Sequence, residues 1–150
     1  IIGDGPQLPA WKTSAVSFGF SDSVNFQGWM QKENLPDLYP KYDLFIFPST
    51  SEGMPNVLLE AMAARTAVVA SDLPGIQNLV SDGITGRLVT PNSEDAIAAA
   101  VHDLLADQPA RRSLGEAART LMETQYTWRY IAERFIGLYE EMTLLHQSRH

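Results

Sequence analysis

The sequence predicts an α/β fold: a parallel sheet flanked by helices, with several further helices at the end of the chain. Two observations predict it. Short apolar runs, such as Asp43-Leu44-Phe45-Ile46-Phe47 and Ala67-Val68-Val69-Ala70-Ser71, alternate with stretches of helical spacing, the pattern of strands joined by helical crossovers. Beyond Asn92 the apolar residues recur only three and four apart, so the chain turns wholly helical there.

The elements follow in order. Ile1-Ile2 runs straight into Gly3-Asp4-Gly5-Pro6, which reads as a strand end and its turn, so the chain is expected to begin inside an element of a larger protein. Residues 7–16 read as a weak helix. Residues 23–28, with Val24 and Phe26 two apart, read as a short strand, and 31–39 as a short helix or turn. Residues 43–47 form a buried strand, 55–64 a helix, 67–71 a second buried strand, 75–81 a brief helix and 86–89 a last strand. Asn92-Ser93-Glu94-Asp95 is a helix start, with a capping side chain and acids in the first turn. Pro109 opens the next helix and Thr127 caps the final one. In that helix Trp128, Ile131, Phe135, Leu138, Met142 and Leu145 form one apolar face, expected to be core.

Composition narrows the function. The chain has 150 residues, the size of one domain, and a net charge of -7, which argues against a nucleic-acid partner. No Lys/Arg cluster addresses an anionic membrane, and no apolar run approaches the roughly 20 residues of a membrane span. With no cysteine and no clustered histidine, neither a disulfide framework nor a zinc site is expected; His102 lies on an ordinary helix, and His146 and His150 in the tail. Gly3-x-Gly5 lacks the third glycine of a dinucleotide fingerprint, and Asp72 and Asp82 read as turn residues.

The chemistry is concentrated between Glu52 and Glu60. The segment runs strand, loop, helix, with Pro55 expected at the first helical position. The free N–H groups near Asn56 and Val57, at the positive end of the helix dipole, form an anion site at the carboxyl end of a strand. Glu60 stands among Val57, Leu58, Leu59, Ala61, Met62 and Ala63, and a carboxylate on so apolar a helix calls for a partner. Two carboxylates bracket the helix end. They would repel phosphate, but as acceptors they suit paired hydroxyls. A central diphosphate with a diol on each side fits, and a nucleoside diphosphate sugar is such a ligand.

Glu52 and Glu60 are separated by seven residues, and this resembles the E-x7-E motif of the family 4 retaining glycosyltransferases of GT-B fold. Ile2-Gly3-Asp4-Gly5-Pro6, Val24-Asn25-Phe26-Gln27-Gly28, Asp43-Leu44-Phe45-Ile46-Phe47-Pro48-Ser49, Leu59-Glu60-Ala61-Met62-Ala63 and Asp82-Gly83-Ile84-Thr85-Gly86 resemble that family in its order, over essentially the whole chain. The resemblance implies a Rossmann-like, C-terminal donor-binding domain over residues 1–150, one half of a GT-B enzyme. Residues 127–146 would be a terminal helix that packs on an N-terminal acceptor domain outside this chain. Glu52, the residue nearest to catalysis, would hold hydroxyls of the donor sugar without acting as a nucleophile. Gly53, Met54, Pro55, Asn56 and Val57 would present backbone groups to sugar and diphosphate, and Glu60 would hold the ribose diol. Gly28, Trp29 and Met30 would sit near the base, and Gly3 and Gly5 would let the first loop approach the phosphates. The implied reaction moves a hexose from a nucleotide-sugar donor to the hydroxyl of a glycan or lipid acceptor with retention, without metal or cofactor. The implied location is cytoplasmic, with membrane contact only through the other half.

The chain also departs from that pattern. The family's diphosphate-neutralising Arg and Lys belong upstream of Ile1, and Lys12 does not replace them, so these residues alone are expected to be inactive. Ala64-Arg65-Thr66 stands where the family favours a small residue or glycine, and Gln77 where it favours glutamate. The competing readings are a non-catalytic nucleotide-sugar-binding module, a related epimerase or phosphorylase, and an interaction domain using the face from Trp128 to Leu145.

Overall fold

A computed structural model describes residues 1–147; the expectation for His150 lies outside them. The chain divides into two compact units, Ile1–Leu38 and a larger one from Tyr39 onward.

In the first unit, α1 (Leu8–Ser17) forms as expected. The strand expected over 23–28 does not. Only Ile2 and Gly28 form a parallel bridge, flanked by the bonds Gln27 N to Ile1 O (2.8 Å) and Gly3 N to Gly28 O (2.7 Å). Gly28 turns away at φ 68°, a left-handed value that ends extended pairing after a few residues. The expected element at 31–39 reduces to a 3-10 turn at Lys32–Asn34.

The second unit is an α/β layer structure. β1 (Leu44–Phe47), β2 (Ala67–Ser71) and β3 (Arg87–Val89) form a parallel sheet in the order β1-β2-β3. β2 is buried along its whole length, as its continuous apolar run predicts. β1 corrects the expectation of a buried strand: it is half-exposed, and Ile46 faces solvent, because β1 is an edge of this sheet. Side chains alternate across β2. Ala67 and Val69 join Val89 in a core with Ala100, Leu104 and Leu114. Those last three come from α4 (Glu94–Ala106) and α5 (Gln108–Gln125). Each helix has its own cap: Ser93 accepts from Ala96 N and Asp107 from Ala110 N.

α2 (Asn56–Ala63) crosses from β1 to β2 and buries Leu58, Ala61 and Met62. Its other residues are less covered, so the helix is one-sided rather than buried all round. Its C-terminus closes as a Schellman motif: Thr66 N donates to Ala61 O and Arg65 N to Met62 O, both at 3.1 Å. Arg65 sits at φ 63°, the left-handed position that glycine fills at least cost. The departure noted in the sequence at Arg65 therefore falls on a position where glycine has a physical advantage. α5 braces this turn. The Arg119 guanidinium donates to Ala63 O, Arg65 pairs with Glu116 at 3.5 Å, and Gly115 packs against the Arg65 carbonyl.

α3 (Pro74–Gln77) is shorter than the expected helix over 75–81, though Ile76 within it and Leu79 and Val80 just after it are buried. α6 (Trp128–Gln147) is capped by Thr127, whose Oγ1 accepts from Tyr130 N at 3.2 Å. Its apolar face is not core. Trp128 is 88% exposed, Phe135, Leu138, Met142 and Leu145 are exposed, and only Ile131 is half-covered. Helical spacing specifies an apolar face, but a face becomes core only where another layer lies over it. Among the described residues no helix is long and apolar enough to cross a membrane.

Candidate functional site

All three strands run in one direction, so the loops leaving β1 and β2 gather at one edge of the sheet. The loop after β1 carries Glu52, Gly53 and Met54 and leads into α2. Pro55, expected as the first helical residue, is instead the N-cap, with φ -75° and ψ 113°, so the helix starts one residue later than expected. Proline offers no side-chain acceptor, so no cap covers the first amides of α2. Leu58 and Leu59 turn inward to Pro55 O at 3.1 and 3.4 Å. Asn56 and Val57 precede them, at the positive end of the helix.

Glu52 is half-buried, and its Oε1 accepts from Ser49 Oγ at 2.9 Å. Gly53 and Met54 are exposed, Pro55 is buried, Asn56 is exposed and Val57 half-buried. Glu60 is half-buried and accepts the Tyr39 hydroxyl on Oε2 at 3.0 Å. Tyr39 is held on several sides. It is 6% exposed, packs edge-on against Phe45 at 5.6 Å between centroids, and accepts Thr66 Oγ1 on its carbonyl at 2.8 Å. Glu60 is thus a carboxylate with a fixed partner below it. An ionised carboxylate has about four acceptor positions, which suits it to several hydroxyl donors at once.

Burial pushes the Tyr39 hydroxyl well above the usual tyrosine range, reinforced by its bond to Glu60 and by the charge of that carboxylate. The raised value sets the sign of a pH effect. The neutral phenol supports the fold below the ordinary pKa of 10.0, and its contribution is lost as pH rises from there toward the folded value. Urea unfolding compared at about pH 8 and about pH 11 is expected to show wild type losing more stability than Tyr39→Phe. Equal losses would contradict the coupling.

The residues expected near the phosphates and the base lie in the first unit, and Asp72 and Asp82 in the second. Gly3, at φ 125°, and Gly28 are joined by their backbone bond. Gly5 O accepts from Leu8 N at the start of α1, Trp29 is exposed and Met30 half-buried. Lys12 lies over the Phe26 ring at 6.0 Å. Asp82 accepts Leu88 N at 2.9 Å and pairs with Arg87 at 3.2 Å, and Asp72 accepts Gln77 Nε2 at 2.8 Å. Among the described residues no group of three His, Cys, Asp or Glu side chains is placed to hold a metal ion. Sequence reasoning assigned no role to Tyr39, Ser49 or Gly75. Ser49 stood inside a quoted motif, and Gly75 followed a proline at a helix start, which is the one local signal of a close approach there.

A parallel sheet, helices packed against it, and two carboxylates about an uncapped helix end define an α/β domain with a candidate ligand site at the carboxyl ends of its strands. Comparison with known proteins is more specific: residues 1–121 match the family of glycosyl transferases group 1, and the chain belongs to that family. It is 33% identical over 144 residues to alpha-D-kanosaminyltransferase of Streptomyces kanamyceticus, covering 96% of this chain and 37% of that protein. It is 40% identical over 151 residues to alpha-maltose-1-phosphate synthase of Mycolicibacterium smegmatis, covering 93% and 38%. The chain thus spans less than two fifths of the length of these curated relatives. Among solved structures it superimposes on sucrose-phosphate synthase from Thermosynechococcus elongatus with a TM-score of 0.81 and 30% identity, over 96% of this chain and 38% of that one. Anabaena HepE in complex with UDP gives a TM-score of 0.85 at 22% identity, over 93% and 40%, a likeness of fold. The fold is that of one half of a GT-B glycosyltransferase.

Proposed function

We propose that this chain is the donor-binding part of a retaining glycosyltransferase of family 4, and that its site takes a nucleoside diphosphate sugar. The observation that carries the reading is the pair of anchored carboxylates, Glu52 held by Ser49 and Glu60 held by Tyr39, on either side of the uncapped start of α2. The HepE structures, solved with UDP and with UDP-glucose, support the ligand class by fold.

Each group has one task. The amides of Asn56 and Val57 and the positive end of α2 take a diphosphate oxygen. Glu60 accepts the ribose diol and Glu52 accepts hydroxyls of the donor sugar. Gly53 and Met54 offer backbone groups beside the sugar. As the bond from anomeric carbon to phosphate oxygen breaks, negative charge grows on the leaving diphosphate, and the α2 amides face that charge. Rate enhancement comes from positioning and this charge stabilisation, without a metal or a protein nucleophile. Gly3 and Gly5 serve the phosphates, and Gly28, Trp29 and Met30 the base. The acceptor hydroxyl is oriented by a part of the protein outside this chain. The exposed apolar face of α6 supports a role for residues 127–146 as a helix that docks on that part.

The test is transfer by the full-length protein from a panel of nucleoside diphosphate hexoses, with the product's anomeric configuration read by NMR. Transfer with the donor's configuration kept is expected. An inverted product would overturn retention, and hydrolysis-free inertness toward every donor tried would overturn the enzyme reading.

A further inference from the structure

We infer that Ser49 and Gly75 are positioning residues for Glu52, gripping its loop from two sides so that the carboxylate meets the sugar at a fixed place. The inference rests on the reading of Glu52 as the clamp for donor-sugar hydroxyls and adds what holds that clamp.

Ser49 acts on the side chain. Its hydroxyl has one proton and two acceptors in reach, Glu52 Oε1 at 2.9 Å and Ser51 O at 3.3 Å, and the shorter, charged contact takes it. Gly75 acts on the backbone. A Cβ at this position would fall inside the van der Waals envelope of both the Glu52 and Gly53 carbonyl oxygens, and 2.8 Å from the Gly53 carbonyl carbon. The turn of α3 therefore lies directly against the backbone of the clamp. It is a firm support. Ile76 and Val80 are fully buried, Leu79 nearly so, and Gln77 ties the turn to Asp72 at 2.8 Å. Gly53 and Met54, by contrast, are exposed. If the contact is overfilled, the loop moves and α3 stays. Glu60 is held separately, by Tyr39, and α2 is tied to α5 at its far, C-terminal end. A disturbance at Gly75 or Ser49 should thus reach the sugar and spare the nucleotide.

The experiment measures dissociation constants of the full-length protein by titration, with UDP-glucose and GDP-mannose as sugar probes against UDP and GDP. Wild type, Glu52→Gln, Ser49→Ala and Gly75→Ala are compared. Ser49→Ala and Gly75→Ala are expected to weaken the sugar nucleotide that wild type binds by about fivefold or more. The matching nucleoside diphosphate should change by less than about twofold. Ser49→Ala adds no atom and is the deciding variant where Gly75→Ala does not fold. A general loss of structure would weaken both ligands alike, and that result overturns the inference. So does an unchanged sugar nucleotide in Ser49→Ala. The two levels separate through Glu52→Gln. If it weakens the sugar nucleotide while the two neighbours do not, only the positioning role fails. If it too has no effect, the clamp reading fails with it.

Discussion

Glu60→Ala is expected to weaken nucleoside diphosphate binding about ten- to a hundredfold, the cost of about 1.5–3 kcal/mol for losing hydrogen bonds to a charged acceptor. The size follows from what surrounds the carboxylate. Tyr39 holds Oε2 from within a buried site, so Glu60 does not reorganise when a ligand arrives. Such an acceptor contributes more to binding than a free one, because its ordering cost is met on folding. The substitution also strands the Tyr39 hydroxyl, which costs about 1–3 kcal/mol of stability. The two effects can be separated. In a Tyr39→Phe background there is no hydroxyl to strand, so Glu60→Ala should cost the fold little and still lose the affinity. Isothermal titration and urea unfolding of wild type, the two single variants and the double variant would read both. Affinity lost only in proportion to stability would mean that Glu60 is structural.

The second large effect is at Gly115. Glycine inside a helix is ordinarily a weakness, and alanine there stabilises by about 0.5–1 kcal/mol. Gly115 is expected to reverse that sign. A Cβ there would fall inside contact with the Arg65 carbonyl oxygen and 3.0 Å from its carbonyl carbon. Arg65 is the left-handed residue that closes α2, and its amide is already committed to Met62 O. Gly115→Ala should therefore destabilise by about 1–3 kcal/mol, through overpacking against backbone. Gly137 in α6 is the internal control. Nothing lies within 4 Å of a Cβ there, so Gly137→Ala should stabilise slightly. Chemical denaturation of both variants checks the pair. If Gly115→Ala stabilised as Gly137→Ala does, the brace between α5 and the end of α2 would be unnecessary.

Both predictions rest on contacts that the sequence shows only in part. β2 was legible because Ala67-Val68-Val69-Ala70-Ser71 is apolar on both faces, and only a strand covered twice needs that. The caps of α4 and α6 were legible because capping is local: Ser93 and Thr127 bond amides three residues on. The exposure of β1 was not, since the same apolar run serves a central strand or an edge, and neighbours decide which. The segment over 23–28 carried the right alternation, but pairing is non-local and is limited here to a bridge at Gly28. The period of the face from Trp128 to Leu145 reports amphipathicity and says nothing of what covers it. At the site, Glu60 stood out because a carboxylate is rare among such apolar neighbours, and Glu52 because it precedes the same helix at a spacing of seven residues. Tyr39 carried no local signal and Gly75 only the proline before it, for a plain reason: one comes from before β1 and the other from after β2, and only the folded sheet places them against the loop and helix they support.

A diol clamp at Glu60, held in place by Tyr39, is read by titrating the full-length wild type and Glu60→Ala with UDP and GDP and with their 2′,3′-dideoxy counterparts. Wild type should prefer the ribonucleotide it binds over the dideoxy form by about tenfold or more, and Glu60→Ala should bind the two alike. A ribose preference that survives in Glu60→Ala, or that wild type never has, would contradict it.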